Sequence, residues 1–310
     1  MAAPVLEAAP ARLVHKLAAD EVLLAGWRRV GEAEFRVATR WPREHGYYFA
    51  ADGHADPMLL IETLRQCLPL LSHAAFGAPL ATHLVWESFG LRLSPEALAA
   101  GRPLDEVEIE ARCLDLRRRA GGPADLTLSF AVRRHDVELA SARTHFYIQA
   151  PAVYRRLRGE AVHLSSAELR PAILPAPVCA AAVGRGASRD VLLSATDRPD
   201  VWQLRVETTH PIYFDHPVDH LPGAALLDAA MQAARAAAAD DPRGPVTVTA
   251  IAGDFTAFVE LDETCLVHAR RLPAAEPGHE QVRVDFTQRS ATPVFSALVT
   301  TRFPVAGGAA

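Results

Sequence analysis

The chain has 310 residues, half of them hydrophobic and 22% charged, a globular composition with length for one large domain or two ordinary ones. Its net charge of −5 leaves no basic footprint for nucleic acid, and runs such as Arg117-Arg118-Arg119 read as solvated faces or loop ends. No basic-then-apolar leader, no membrane-length apolar run and no C-x-x-C pair among the four cysteines is present, so a soluble, cytoplasmic protein without metal is expected.

In chain order, "DEVLLAGWRRVGEAEFRVATRW" reads as paired strands, with apolar and polar residues alternating in its second half. A helix follows in "HADPMLLIETLRQCLPLLSH", with Asp56 as N-cap, Pro57 as first helical residue and Pro69 ending or kinking it. Its apolar residues spread around the axis rather than forming one stripe. Four segments with strand-like alternation come next: "THLVWESFGLRL", "DEVEIEARCLDLRR", "ADLTLSFAVRRH" and "VELASARTHFYI". In "LVWES", Trp86 and Glu87 read as core strand and surface.

Residues 150–186 are rich in Pro and Ala with no sustained period and read as a linker between repeats at 13–149 and 187–304. The second half repeats the order: "RDVLLSATDRPDVWQLRVETT", then a helix opening at Pro222-Gly223, then "PVTVTAIAGDFTAFVELD", "TCLVHARRL", "EQVRVDFTQRS" and "PVFSALVTTRF". Strands, one long apolar helix, then more antiparallel strands make an α+β fold, with a sheet wrapped around a central helix in each repeat.

Both helices carry an acid among apolar residues. Glu62, Arg65 and Gln66 stand at i, i+3 and i+4 and share a face; they are either a surface ion pair or a partly buried site. Asp228 and Gln232 repeat the spacing, and Pro222 precedes Asp228 by six residues where Pro57 precedes Glu62 by five. An acid, a Gln and a Pro at matching places in two repeats point to a duplicated site.

The segments "DPMLLIETLRQ" and "FDHPVDHLPGAALLDAAMQAA", with "VHKLAADEVLLAGWRR", "LVWES" and "FVELD", resemble the A-factor synthase (AfsA) family over roughly Leu13 to Phe303. The resemblance implies a double hotdog and the condensation of a 3-oxoacyl thioester, carried on acyl carrier protein, with dihydroxyacetone phosphate. The product is a phosphorylated ester or butenolide precursor of a γ-butyrolactone-type signalling molecule in actinomycetes. Asp228 and Glu62 fall where hotdog enzymes of fatty-acid metabolism carry an acid facing the acyl-thioester pocket. The second helix departs from the family's Glu-x-x-Arg-Gln, having Asp228, Met231 and Gln232. Its acid is shorter and its guanidinium is gone, and Arg235, two turns along, does not replace it. Catalysis is therefore expected at Glu62, with loss or change of activity as the alternative.

That chemistry needs the substrate hydroxyl deprotonated as it attacks the thioester. Burial is expected to raise the pKa of Glu62 toward that of a general base. Backbone N–H groups at Asp56-Pro57 and Pro222-Gly223 are candidate oxyanion donors. Arg65 suits the substrate phosphate, with Arg28 or Arg29 as alternatives. Gln66 and Gln232 could orient a carbonyl. His54, His216 and His220 precede the helices and are candidates for substrate contact or for capping loop backbone. The ligand-type residues of "HPIYFDHPVDH" match no metal-site spacing. A dehydratase or thioesterase acting on acyl thioesters, or a silent acyl-binding double hotdog, are the competing readings. Either a monomer or a homodimer is compatible with two fused hotdogs.

Overall fold

The computed structural model describes residues 6–49, 54–94, 97, 106–119, 122–169, 174–274 and 276–304. The chain divides into two compact units, Met1–Glu160 and Ala161–Ala310.

In the first unit, β1 (Glu7–Ala8), β2 (Leu24–Arg29) and β3 (Glu34–Thr39) precede the helix α1 (Pro57–Leu70). Then come β4 (His83–Leu93), β5 (Val107–Arg119), β6 (Gly122–Arg134), β7 (Val137–Gln149) and the short helix α2 (Pro151–Arg158). The sheet is antiparallel in the order β1-β2-β3-β5-β6-β7-β4. Strand alternation sets its two faces: Phe35 and Val37, Val107 and Ile109, and Leu128, Phe130 and Val132 are buried. Between them Arg36 bonds Glu108 and Glu110 on the other face.

The second unit holds β8 (Leu193–Ala195), β9 (Val201–Leu204), α3 (Gly223–Ala237), β10 (Thr247–Phe255), β11 (Leu266–Pro273), β12 (His279–Thr287) and β13 (Pro293–Arg302). Its order is β8-β9-β11-β12-β13-β10, which repeats β2-β3-β5-β6-β7-β4 strand for strand. The two halves are copies of one topology: two strands, a helix and four strands, with the strand after the helix at the sheet's far side.

Each helix sits where its sequence requires. Every residue of α1 is buried except Arg65. Asp56 caps it by accepting from Met58 N at 2.9 Å, with Pro57 in the first turn. Pro69 has no N–H to continue the ladder, and the chain passes from α1 into a π-helical turn, Leu71–Ala75. In α3, Ala224 to Ala234 are all buried, and the helix packs so closely on its sheet that a Cβ at Gly253 would lie 2.9 Å from Phe295 and 3.0 Å from Leu227. No helix among the described residues is long and apolar enough to cross a membrane.

The segment read as a linker contains α2 and the 3-10 turn Ala181–Val183, and it leads into the second unit's site. Within it, residues 170–173 lie outside the described residues.

Candidate active site

Glu62 is 3% exposed, and both of its oxygens are occupied. Arg65 grips it as a fork, Nε to Oε2 at 2.7 Å and Nη2 to Oε1 at 2.8 Å. Gln66 Nε2 donates to Oε1 at 3.0 Å, and the buried ammonium of Lys16 stands 3.3 Å from the same oxygen. The expectation of a raised pKa fails for this reason. Burial does push the carboxyl up, but Arg65, Lys16 and the hydrogen bonds of Arg65 and Gln66 outweigh it and hold Glu62 at about 2. Glu62 is a fixed anion and a poor acceptor for a substrate proton.

Gln66 ties the helix to the start of the sheet. Its Oε1 accepts from Leu23 N at 2.8 Å, and its Nε2 donates to Glu21 O at 2.8 Å. That commits its amide to the protein rather than to a substrate carbonyl. Glu21 closes a 3-10 turn, Ala19–Glu21, and its Oε1 lies 3.2 Å from His45 Nε2. His45 Nδ1 accepts from Tyr47 N and Tyr48 N, so the ring proton is on Nε2 and points at Glu21.

The second unit reproduces this arrangement. Gln232 Oε1 accepts from Leu192 N at 2.8 Å, and its Nε2 donates to Asp190 O and to Asp228 Oδ2, both at 2.9 Å. His210 Nε2 stands 3.0 Å from Asp190 Oδ1, and its Nδ1 accepts from Ile212 N and Tyr213 N. Asp228 is fully buried and is bonded by Arg185 and by the hydroxyl of Tyr213. The guanidinium that Met231 fails to supply therefore comes from Arg185, inside the stretch read as a linker. Arg235 reaches the Val183 carbonyl at 3.4 Å.

Lys16 and Arg185 occupy equivalent places, each five residues before the acidic residue (Glu21, Asp190) whose carbonyl takes the Gln amide. A left-handed residue precedes each: His15 at φ 53 and Gly184 at φ 71. That turn aims the base at the helix acid. In the first unit His15 is fixed further by its Nε2, 2.8 Å from Nε2 of His73 in the π turn.

The other expected site residues lie elsewhere. Arg28 pairs across β2 and β3 with Arg36, on the face opposite the buried Trp27, Phe35 and Val37. Arg29 is on the buried side, where its guanidinium covers the Phe35 ring at 4.7 Å and donates to Ala75 O at 3.0 Å. His54 is exposed ahead of α1. His216 is 3.5 Å from Asp215, and His220 Nδ1 is 2.7 Å from Asp219 Oδ1, with its ring edge-on to Phe258. At the start of α1, the amides of Met58 and Leu59 are taken by Asp56 and are not free as oxyanion donors. Among the described residues no group of three or more His, Cys, Asp or Glu is disposed to hold a metal.

Lys16, Arg185, Tyr48, Tyr213, His45 and Glu21 were not found as site residues from sequence. The signal was present: "KLAADEVLL" against "RGASRDVLL", and "HGYYF" against "HPIYF". Aligning the repeats over the segments ahead of the helices would have paired all of them.

A family model described as the A-factor biosynthesis hotdog domain matches residues 1–149 and 166–304. A 2-oxo-3-(phosphooxy)propyl 3-oxoalkanoate synthase of Streptomyces virginiae is 41% identical, over 94% of this chain and 97% of that protein. One of the same name from Streptomyces griseus is 36% identical over 93% of each. Among solved structures, a hot dog-fold protein of Alicyclobacillus acidocaldarius superposes with a TM-score of 0.51 at 13% identity, covering 92% of this chain and 97% of that one. An acyl-ACP thioesterase of Bacteroides thetaiotaomicron does so with 0.51 at 10% identity, covering 82% and 93%. At these identities the structural likeness speaks for the fold alone.

Proposed function

Because the chain belongs to the A-factor biosynthesis hotdog family, we propose that it is a 2-oxo-3-(phosphooxy)propyl 3-oxoalkanoate synthase. It joins a 3-oxoacyl group, delivered as a thioester on acyl carrier protein, to a hydroxyl of dihydroxyacetone phosphate. The alcohol oxygen attacks the thioester carbonyl, the C–S bond breaks, and the carrier thiol leaves with the proton the hydroxyl has lost. The phosphorylated ester so formed is a precursor of a γ-butyrolactone-type signal.

The difference between the two helix sites carries the assignment of the reaction to the N-terminal one. Arg65, whose place Met231 takes, gives the Glu62 cluster one more positive charge than the Asp228 cluster has on its helix. Arg65 is also the one residue of α1 that is not buried, its side chain 23% exposed. A fork held rigidly by a fixed anion, on a side chain that is partly exposed, suits a phosphate or a developing oxyanion. Glu62 therefore orients Arg65 and does not itself take the proton. Asp228, enclosed by Arg185, Tyr213 and Gln232, maintains the architecture of the second copy.

The test is a product assay. Purified protein, dihydroxyacetone phosphate and a 3-oxoacyl pantetheine or carrier-protein thioester are incubated, and the mixture is read by mass spectrometry. The phosphorylated ester or its butenolide is expected. Free 3-oxo acid would mark a thioesterase and an enoyl thioester a dehydratase, and intact thioester at all chain lengths would leave an acyl binder.

A further inference from the structure

The two repeats differ in what their equivalent tyrosines do. Tyr213 donates its hydroxyl to Asp228. Tyr48, three residues after His45 as Tyr213 is after His210, is fully buried, and its hydroxyl has no hydrogen-bond partner among the described residues. In α1 the Arg65 fork, Gln66 and Lys16 bind Glu62, and the Tyr48 phenol makes no bond to it. In α3, Met231 makes no such fork and Tyr213 takes the oxygen.

A second polar atom of the same cluster is also unspent. Glu21 Oε1 faces His45 at 3.2 Å, but its buried Oε2 has no hydrogen-bond partner among the described residues. His45 joins the two groups, since its ring lies 4.5 Å from that of Tyr48 and takes the Tyr48 amide. Leaving a buried hydroxyl and a buried carboxylate oxygen unsatisfied is costly, and a ligand that gives and accepts hydrogen bonds there recovers that cost.

Resting on the synthase reading, we propose that Tyr48 and Glu21 are the catalytic pair of the N-terminal site. The Tyr48 hydroxyl donates to the thioester carbonyl oxygen, and Glu21 Oε2 takes the proton from the attacking hydroxyl. The C–O bond forms as the negative charge moves to the carbonyl oxygen under Tyr48. The tetrahedral intermediate then collapses with cleavage of C–S, and Glu21 returns its proton to the leaving thiolate, so the pair ends as it began. The phenol suits the role because burial, and then the nearby Glu62 and Glu21, drive its pKa well up, keeping it a donor at any working pH.

Two isosteric variants test the pair. In Tyr48→Phe, kcat falls about 100-fold with KM within a few-fold, while the melting temperature holds or rises because an unsatisfied hydroxyl has gone. In Glu21→Gln, which keeps the acceptor for His45, kcat falls at least ~100-fold. A readout independent of turnover is the infrared carbonyl band of a carbon-13-labelled 3-oxoacyl pantetheine thioester bound to the protein, which moves to higher frequency in Tyr48→Phe. Wild-type kcat and an unmoved band in Tyr48→Phe would overturn the donor assignment, and wild-type kcat in Glu21→Gln the base assignment. If the wild type makes no ester yet Tyr48→Phe moves the band, the donor assignment stands and the synthase reading falls; if the band does not move, both fall.

Discussion

At the scale of single residues, Glu62 shows how burial and pairing compete for one carboxyl. Burial alone would make it a base, but two cations and an amide within 3.3 Å make it a fixed charge instead. The pairing has a pH signature. A carboxyl lowered from 4.5 to about 2 stabilises the fold fully above pH 4.5, and the contribution disappears as pH falls from 4.5 through 2. Integrated, this is on the order of 3 kcal/mol. Urea unfolding of wild type and Glu62→Gln across pH 2–6 should show the stability gap between them closing in that window. A gap that stays constant with pH would mean that Glu62 is not held as an anion.

At the scale of elements, α1, α3 and the long strands were legible because their signals are local, whereas α2 fell in the stretch read as a linker. Asp56 and Pro57 mark the start of α1, and alternation marks β5, β6 and β7. The acid, Arg and Gln of α1 were legible as a group because i, i+3 and i+4 share a face on any helix. Lys16, Arg185, Glu21 and Tyr48 were not, because they sit on turns of no fixed period and meet the helix over long sequence separations. The pKa of Glu62 escaped for the same reason, since Lys16 contributes to it from 46 residues away. Close packing of elements is likewise a contact fact: Gly253 reads as an ordinary strand glycine until α3 is laid on it. Gly253→Ala should cost about 1–3 kcal/mol by overpacking against Phe295 and Leu227, read as a lower urea midpoint with an unchanged slope.

At the scale of the whole molecule, one topology appears twice, with the same glutamine, histidine and tyrosine framework around each helix acid, and with different loads on that acid. The second copy balances its buried aspartate with Arg185, so Arg185→Met should leave a charge without its partner and cost about 3–5 kcal/mol. Turnover per folded molecule should nevertheless stay within a few-fold of wild type. Glu62→Gln should do the reverse in emphasis, with kcat about 100-fold down because Arg65 is released from its geometry. Comparing kcat per folded molecule for the two variants checks the division of labour. Equal losses would mean that both copies work.

Gln66 and Gln232 imitate something a helix does not usually offer. Each takes the N–H of one residue and gives to the C=O of the residue two before it, the pattern with which a neighbouring strand would bind that piece of chain. The side-chain amide is in effect a single borrowed peptide unit, a gauge against which the entering strand is measured. An insertion or deletion of one residue at this point would present the gauge with the wrong face of the chain. The place of the amide on each helix thus marks where β2 and β8 begin.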